Sequence, residues 1–424
     1  YSFFGSGSVL NVQGNNTING QVGLNFYNWD TNSGVGGTQY LAYDDMLGTI
    51  NLNGTNVTFG NAVFSDNIYV KSGTNNTNNN DYTFYSGVYS NLNFNQAASV
   101  LLNGGLHAAS EDLGGAAQDT QTTSGHLNYN GFNSLVTLGA DQTIEGNITT
   151  SGANGTLIFQ GDGAVNGTVG SSGNALKEVR LNGTYSAGGA DYVVFNNTTS
   201  PAYVNYVNYQ ANQVVGFAGG VNLATNPSAD SMNIVAFNNH DGVLQIGANG
   251  SLTGIEGQQV VSTSGNNIGT VTMISGNQFI VGGIGAAGHA IKTLNIGGEN
   301  TGVLDTTAAN YSATTIYGDV YATSTKLNNN GVTNGSSLTM ASGYDLNSTV
   351  TTGDPATGSL ILLGGEQTVT GQVGTAGQKL LVVNSGANGA TSNFNSDAFA
   401  VYFNNMGTGL SLIHISEPTR LLRS

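Results

Sequence analysis

The chain has 424 residues, of which 64 are glycine, 4 are proline and none is cysteine, and only 8% are charged. A net charge of −16 with eight Lys and Arg in all argues against a nucleic-acid partner, because phosphate binding needs clustered cations. The lack of Cys excludes a disulfide scaffold and a Cys-ligated metal, and no apolar run reaches the roughly 18 residues of a membrane-spanning helix.

From the start to residue 103, apolar residues alternate with polar ones between Asn-Gly and Gly-Asn turns, as in VLNVQGNNTINGQVGLNF and GTINLNGTNVTFGNAVF. Alternation of period two bounded by such turns predicts short strands. Residues 72–81 (SGTNNTNNND) carry no core-forming side chain and read as a loop leaving the strands. Residues 104–127 hold Ala, Glu, Asp and Gln with little strand signal and read as an excursion with room for one short helix.

Strand signals return from 128 and lead into the stretch around which the chain is organised, residues 156–183. Its pattern is Gly161, Val165, Gly167, Val169, Gly170, Gly173, Leu176, Lys177, Val179, Leu181 and Gly183. Within 271–298 every position is met again, as Gly276, Ile280, Gly282, Ile284, Gly285, Gly288, Ile291, Lys292, Leu294, Ile296 and Gly298. Within 360–386 the first seven recur as Gly365, Val369, Gly371, Val373, Gly374, Gly377 and Leu380. A shorter echo at 14–23 reads Gly14, Ile18, Gly20, Val22, Gly23. Alternate apolar residues broken by glycines free to take positive φ predict short strands joined by tight bends, and repetition of that unit predicts a stacked solenoid. A low-charge chain rich in Asn, Gly and Thr suits a β-solenoid, whose coils stack identical polar side chains into ladders. We therefore expect an all-β, right-handed parallel β-helix with irregular loop excursions. At 20–25 residues per coil, ~410 residues would make a rod of very roughly 80–100 Å.

The tail, residues 411–424 (SLIHISEPTRLLRS), has no Gly or Asn, yet holds two of the three arginines. It resembles translated sequencing-adaptor sequence, the alternative being a short amphipathic helix, and we leave it out of the expected β-helix of 1–410. The opening YSFFGSGSVL has neither Met nor a charged, then apolar leader, and reads as an internal piece of a longer protein.

Motifs that could carry chemistry dissolve on inspection. GIGAAG at 283–288 fits the dinucleotide-binding pattern, but the equivalent positions of the other copies begin with Thr168 and Gln372, so what recurs is a turn and a strand. Gly188, Gly189 and Asp191 echo a calcium-binding nonapeptide that occurs once where a real array is tandem. The adjacent carboxylates Asp44/Asp45 and Glu111/Asp112 would point to opposite faces of a strand and make no glycosidase pair. Arg180, beside Glu178, is read as surface solvation. His107, His126, His240, His289 and His414 show no metal or triad spacing. Asn-x-Ser/Thr sites, such as Asn15, Asn53 and Asn147, follow from composition. We expect no enzyme, no cofactor and no metal.

GTLIFQGDGAVNGTVGSSGNALKEVRLNG, GNQFIVGGIGAAGHAIKTLNIGG and GSLILLGGEQTVTGQVGTAGQKLLVVNSG resemble the passenger-domain repeats of rickettsial surface-antigen autotransporters, outer membrane proteins A and B and their relatives. The resemblance implies a right-handed β-helix passenger exported through a C-terminal β-barrel translocator and displayed on a Gram-negative surface. It implies adhesion to a host-cell surface receptor, or a structural surface coat that self-associates. It carries over no binding residue, since the matched positions are structural. A β-helical polysaccharide lyase or hydrolase is a third class, which scarce Arg and unpaired carboxylates disfavour.

Overall fold

A computed structural model describes residues 8–23, 47–74, 80–110, 122–183, 191–223, 232–299, 304, 311–329, 335–386 and 390–406. It is all-β, with strands and no helix among the described residues, and nearly all strands pair in parallel with the chain one coil later, as a β-solenoid requires. Calls made on 44–45, 111–112, 188–189 and 411–424 lie outside the described residues. The chain divides into two compact units, the first mainly Tyr1–Thr184 and the second mainly Tyr206–Ser424.

In the first unit each coil has three short faces. On the first, Val9–Val12 pairs with Leu47–Leu52, then with the second half of Val63–Val70, the second half of Val88–Phe94, Leu127–Asn128 and Ile148–Thr149. The second face runs from Val57–Phe59 through Tyr82–Phe84, Ser99–Leu102, Leu135–Leu138 and Asn154–Phe159 to Leu176–Leu181. The third takes Val22, the first halves of Val63–Val70 and Val88–Phe94, Leu106–His107, Gln142–Ile144 and Gly163–Val165.

The alternation read in the sequence becomes columns of like residues pointing inward. Ile50, Ile68, Leu92, Leu127 and Ile148 form one column, and Phe59, Phe84, Leu102, Leu138 and Phe159 another, all essentially inaccessible. Phe59 and Phe84 stack with centroids 4.8 Å apart, and Phe94 lies 5.5 Å from Tyr129. Each buried Leu, Ile or Phe contributes about 1.5–3 kcal/mol, and a stacked ring pair adds about 0.5–1.5 kcal/mol.

Val63–Val70 and Val88–Phe94 read as single strands, but each turns a corner where the register slips between Phe64 and Asn67. No glycine marks this corner. The buried hydroxyls of Ser65 and Ser90 meet at 2.9 Å inside it.

The second unit repeats the plan. One face runs through Gly276–Val281, Ser312–Tyr317, Ser337–Met340, Thr357–Leu362, Leu380–Ser385 and Ala400–Asn405. A second runs through Tyr206–Tyr209, Ile234–Ala236, Gln259–Ser262 and Gly283–Ile284 into the first half of Val320–Leu327. The third includes Val214–Phe217, Val243–Ile246, Thr270–Met273, Ile291–Ile296 and the second half of Val320–Leu327. Val320–Leu327 bends between Tyr321 and Ser324, and Thr325 Oγ1 donates to Ser348 Oγ at 2.8 Å in the same kind of buried corner.

Candidate functional site

The fifteen glycine and apolar positions that define the repeat build corners. Val165, Val169, Ile280, Ile284, Val369 and Val373 are all buried at 0–2% exposure. Directly after the second of each pair the chain bends at Gly170, Gly285 and Gly374, whose φ values are 61°, 64° and 63°. A Cβ on these glycines would lie 2.6, 2.5 and 2.6 Å from the carbonyl oxygens of Tyr203, Tyr321 and Phe399, one coil on. Gly167 and Gly371 are blocked by backbone of the preceding coil at 2.3 and 2.2 Å, whereas Gly161 meets the Ala140 side chain at 2.8 Å. Gly276, Gly282 and Gly365 take φ of 83°, 109° and 74°.

The two copies in the second unit do not occupy the same corner. Ile280, the first apolar position of its copy, pairs with Ile316 on the face where, in the next copy, Leu380 lies, which is the equivalent of Leu176 and Ile291. Ile284 shares its face with Val320, Leu346 and Val369. The repeat therefore encodes a bend between any two faces, and its copies are not equivalent coils.

GIGAAG proceeds from Gly283–Ile284 into a turn closed by reciprocal bonds between Ala286 and His289, then into strand Ile291–Ile296. These residues therefore run strand–turn–strand, where a dinucleotide fingerprint runs strand–turn–helix. Asp191 accepts Val214 N–H through its carbonyl. His126 Nδ1 accepts Asn147 N–H at 2.9 Å. Among the described residues no three His, Asp or Glu side chains converge as a metal site. Arg180 is not merely solvated: its Nε and a terminal nitrogen clasp both Glu178 oxygens at 3.0 and 2.8 Å, and Glu178 is buried.

What does stand out is the outer side of the first face of the first unit. Strand alternation that sends Ile68, Leu92 and Leu127 inward sends Asn67, Tyr69, Asn91, Asn93 and Asn128 outward. Asn51 donates to Asn11 at 2.9 Å, Asn93 to Asn67 at 3.2 Å, Asn128 to Asn93 at 2.7 Å, and Thr149 to Asn128. The ladder continues at the corner, where Asn91 Oδ1 accepts His126 N–H at 3.0 Å. Asn93 is buried within the ladder and its nitrogen also reaches Ile68 O and Asn91 O. Asn11 is exposed and Asn67 and Asn128 are partly exposed, so these three offer a ligand uncharged amide groups.

Two departures from the coil flank this ladder. The excursion is shorter than the sequence suggested, because Leu106 and Leu127 are fully buried members of the coil. Ala109–Ser110 and Thr122–Thr123 pair antiparallel, and the second of them lies against Val63–Val70 and Val88–Phe94. At its base, a Cβ on Gly125 would lie 2.7 Å from the His107 carbonyl carbon. His107 is pinned there, with Nε2 2.7 Å from Gly104 O and Nδ1 3.2 Å from Glu145 Oε1, while Glu145 Oε2 accepts Ala108 N–H at 2.8 Å.

The other departure is the 72–81 loop, which Asp81 latches down. Buried at 4% exposure, its carboxylate accepts Thr74 N–H, Thr74 Oγ1–H, Ser99 N–H and Ser99 Oγ–H at 3.0–3.2 Å. Sequence reasoning took Asp81 for loop; the only signal was its place immediately before the alternating Tyr82-Thr83-Phe84. Comparison with protein-family models, curated proteins and solved structures finds no match to this chain.

Proposed function

We propose that the chain is a surface-displayed binding scaffold, an adhesin-like passenger of the rickettsial surface-antigen type, that engages a host-cell surface component. The observation that carries this is the antiparallel pair Ala109–Ser110 and Thr122–Thr123, added to a parallel solenoid and lying against Val63–Val70 and Val88–Phe94, the strands that carry Asn67, Asn91 and Asn93. A coil needs no such hairpin to close, and loops on rigid scaffolds are where binding groups concentrate. The ladder's amides suit a ligand rich in hydroxyls or peptide groups. Display on the outside of a Gram-negative cell, through a β-barrel translocator of the full-length protein, follows from the resemblance of the repeats.

The test keeps Leu106 and Leu127 and replaces 109–123 with a two-residue Asn-Gly turn in the full chain. Binding of the labelled protein to host cells should fall at least about tenfold, with unchanged far-ultraviolet circular dichroism. Undiminished binding by a folded variant would remove the hairpin from the site.

A further inference from the structure

The six strands Gly276–Val281, Ser312–Tyr317, Ser337–Met340, Thr357–Leu362, Leu380–Ser385 and Ala400–Asn405 contain no Asp, Glu, Lys, Arg or His. In a chain of net charge −16 this is a neutral face. Its outward side sets large apolar residues among Thr, Ser and Asn: Phe279, Tyr317, Leu363 and Tyr402 are 48%, 39%, 39% and 58% exposed, with Thr315, Thr339 and Ile361 in the row of Phe279. Register places Tyr317 beside Val281, with buried Ala341 between Tyr317 and Leu363, while Val382 sits beside Tyr402. Most other strands of the unit, such as Val214–Phe217, Val243–Ile246 and Thr270–Met273, are uncharged too, with Lys292 and Lys326 on the face of Ile291–Ile296 and Val320–Leu327. What sets this face apart is its exposed large apolar side chains.

We propose that this face is an isologous contact between two copies of the chain. A partner chosen by charge would seek the acidic surfaces and pass this one by. A second copy, itself strongly acidic, can approach closely only where neither molecule presents a charge. Strands about 4.8 Å apart, with outward residues about 6.8 Å apart along each, give six strands of three outward positions roughly 500 Å² per copy. Two such faces bury about 1,000 Å², the lower limit for a specific contact, so the dimer is weak and forms at crowded, surface-like concentrations. Because like-charged bodies are being joined, added salt tightens it.

Sedimentation equilibrium of the full chain, up to about 200 µM, tests this at about 20 and 300 mM salt. A monomer–dimer equilibrium should tighten severalfold in the higher salt. Tyr317→Lys with Leu363→Lys should weaken it at least about tenfold, and so should Phe279→Lys alone, which serves if the double variant fails to fold. Tyr85→Lys, at an exposed tyrosine of the first unit, should leave it unchanged. A chain that stays monomeric, association untouched by these variants, association weakened by salt, or open-ended polymers in place of dimers would each overturn the proposal. The hairpin replacement leaves this face intact, so loss of dimer and loss of host-cell binding are separately readable.

Discussion

Three glycines of one repeat copy, spaced three residues apart, should respond to alanine in three different ways. Gly374 has φ of 63°, and its Cβ would lie 2.6 Å from Phe399 O and 3.1 Å from Gln378 O. Left-handed strain costs about 1–2 kcal/mol, and forcing a methyl against backbone that cannot rotate away costs about 1–3 kcal/mol more. Gly374→Ala should therefore destabilise by about 3 kcal/mol. Gly371 is not among the positive-φ glycines, but its Cβ would sit 2.2 Å from Ser348 O and 2.4 Å from Ser348 C, so about 2 kcal/mol is expected from overlap alone. Gly377 has neither constraint: its φ is not positive and nothing lies within 4 Å. There alanine should stabilise slightly, by about 0.5 kcal/mol, through a less flexible unfolded chain. Since solenoid energetics are largely nearest-neighbour, urea midpoints should be read together with hydrogen exchange at Leu346–Thr352 and Ala400–Asn405. A Gly374→Ala protein as stable as the parent, or Gly377→Ala as damaging as Gly374→Ala, would refute this account of the repeat.

Two further outcomes follow from buried polar groups. Asp81→Ala strands the Ser99 and Thr74 donors and should cost about 3 kcal/mol, with faster exchange or proteolysis in the 72–81 loop; an unaltered loop would show that Asp81 does not hold it. Burial raises the phenols of Tyr82, Tyr129 and Tyr209 above their ordinary value of 10, with the Asp81 charge adding to the effect at Tyr82. The unfolded chain then ionises first, so the stability these groups hold is full below about pH 10 and is lost as pH rises through it toward the folded values. Tyrosinate absorbance should show these buried tyrosines ionising only as circular dichroism collapses; their ionisation without loss of structure would contradict this.

Much of the fold was legible because its two signals are local. Period-two alternation marks strands such as Leu47–Leu52, and Asn or Gly at positive φ marks turns, as at Asn56, Asn130 and Asn249. The corners of Val63–Val70 and Val320–Leu327 were not legible, since they are made by buried hydroxyl pairs from different coils and are marked along the chain only by two adjacent outward residues, Asp66-Asn67 and Thr323-Ser324, with no Gly or Pro. The same limit applied to the candidate site. Composition foretold polar ladders, but Asn was assigned to turns, and only the coil register puts Asn67, Asn93 and Asn128 side by side within strands.

That limit has a consequence for where function can lie. Side-chain partners across coils are separated by 21, 23 or 25 residues even where no long excursion intervenes. A sequence can change the length of one coil without disturbing the inward columns, provided a corner such as Val169-Gly170 or Val373-Gly374 returns the chain to its face. The repeat thus fixes the corners and leaves the outward positions between them free to vary. Selection for binding can act there at little cost to stability: on the Asn ladder with its hairpin in the first unit, and on the uncharged Phe279–Tyr402 face in the second. The first is a row of amides and the second carries exposed aromatic rings, so the two proposed contacts draw on different chemistry and substitutions in one leave the other intact.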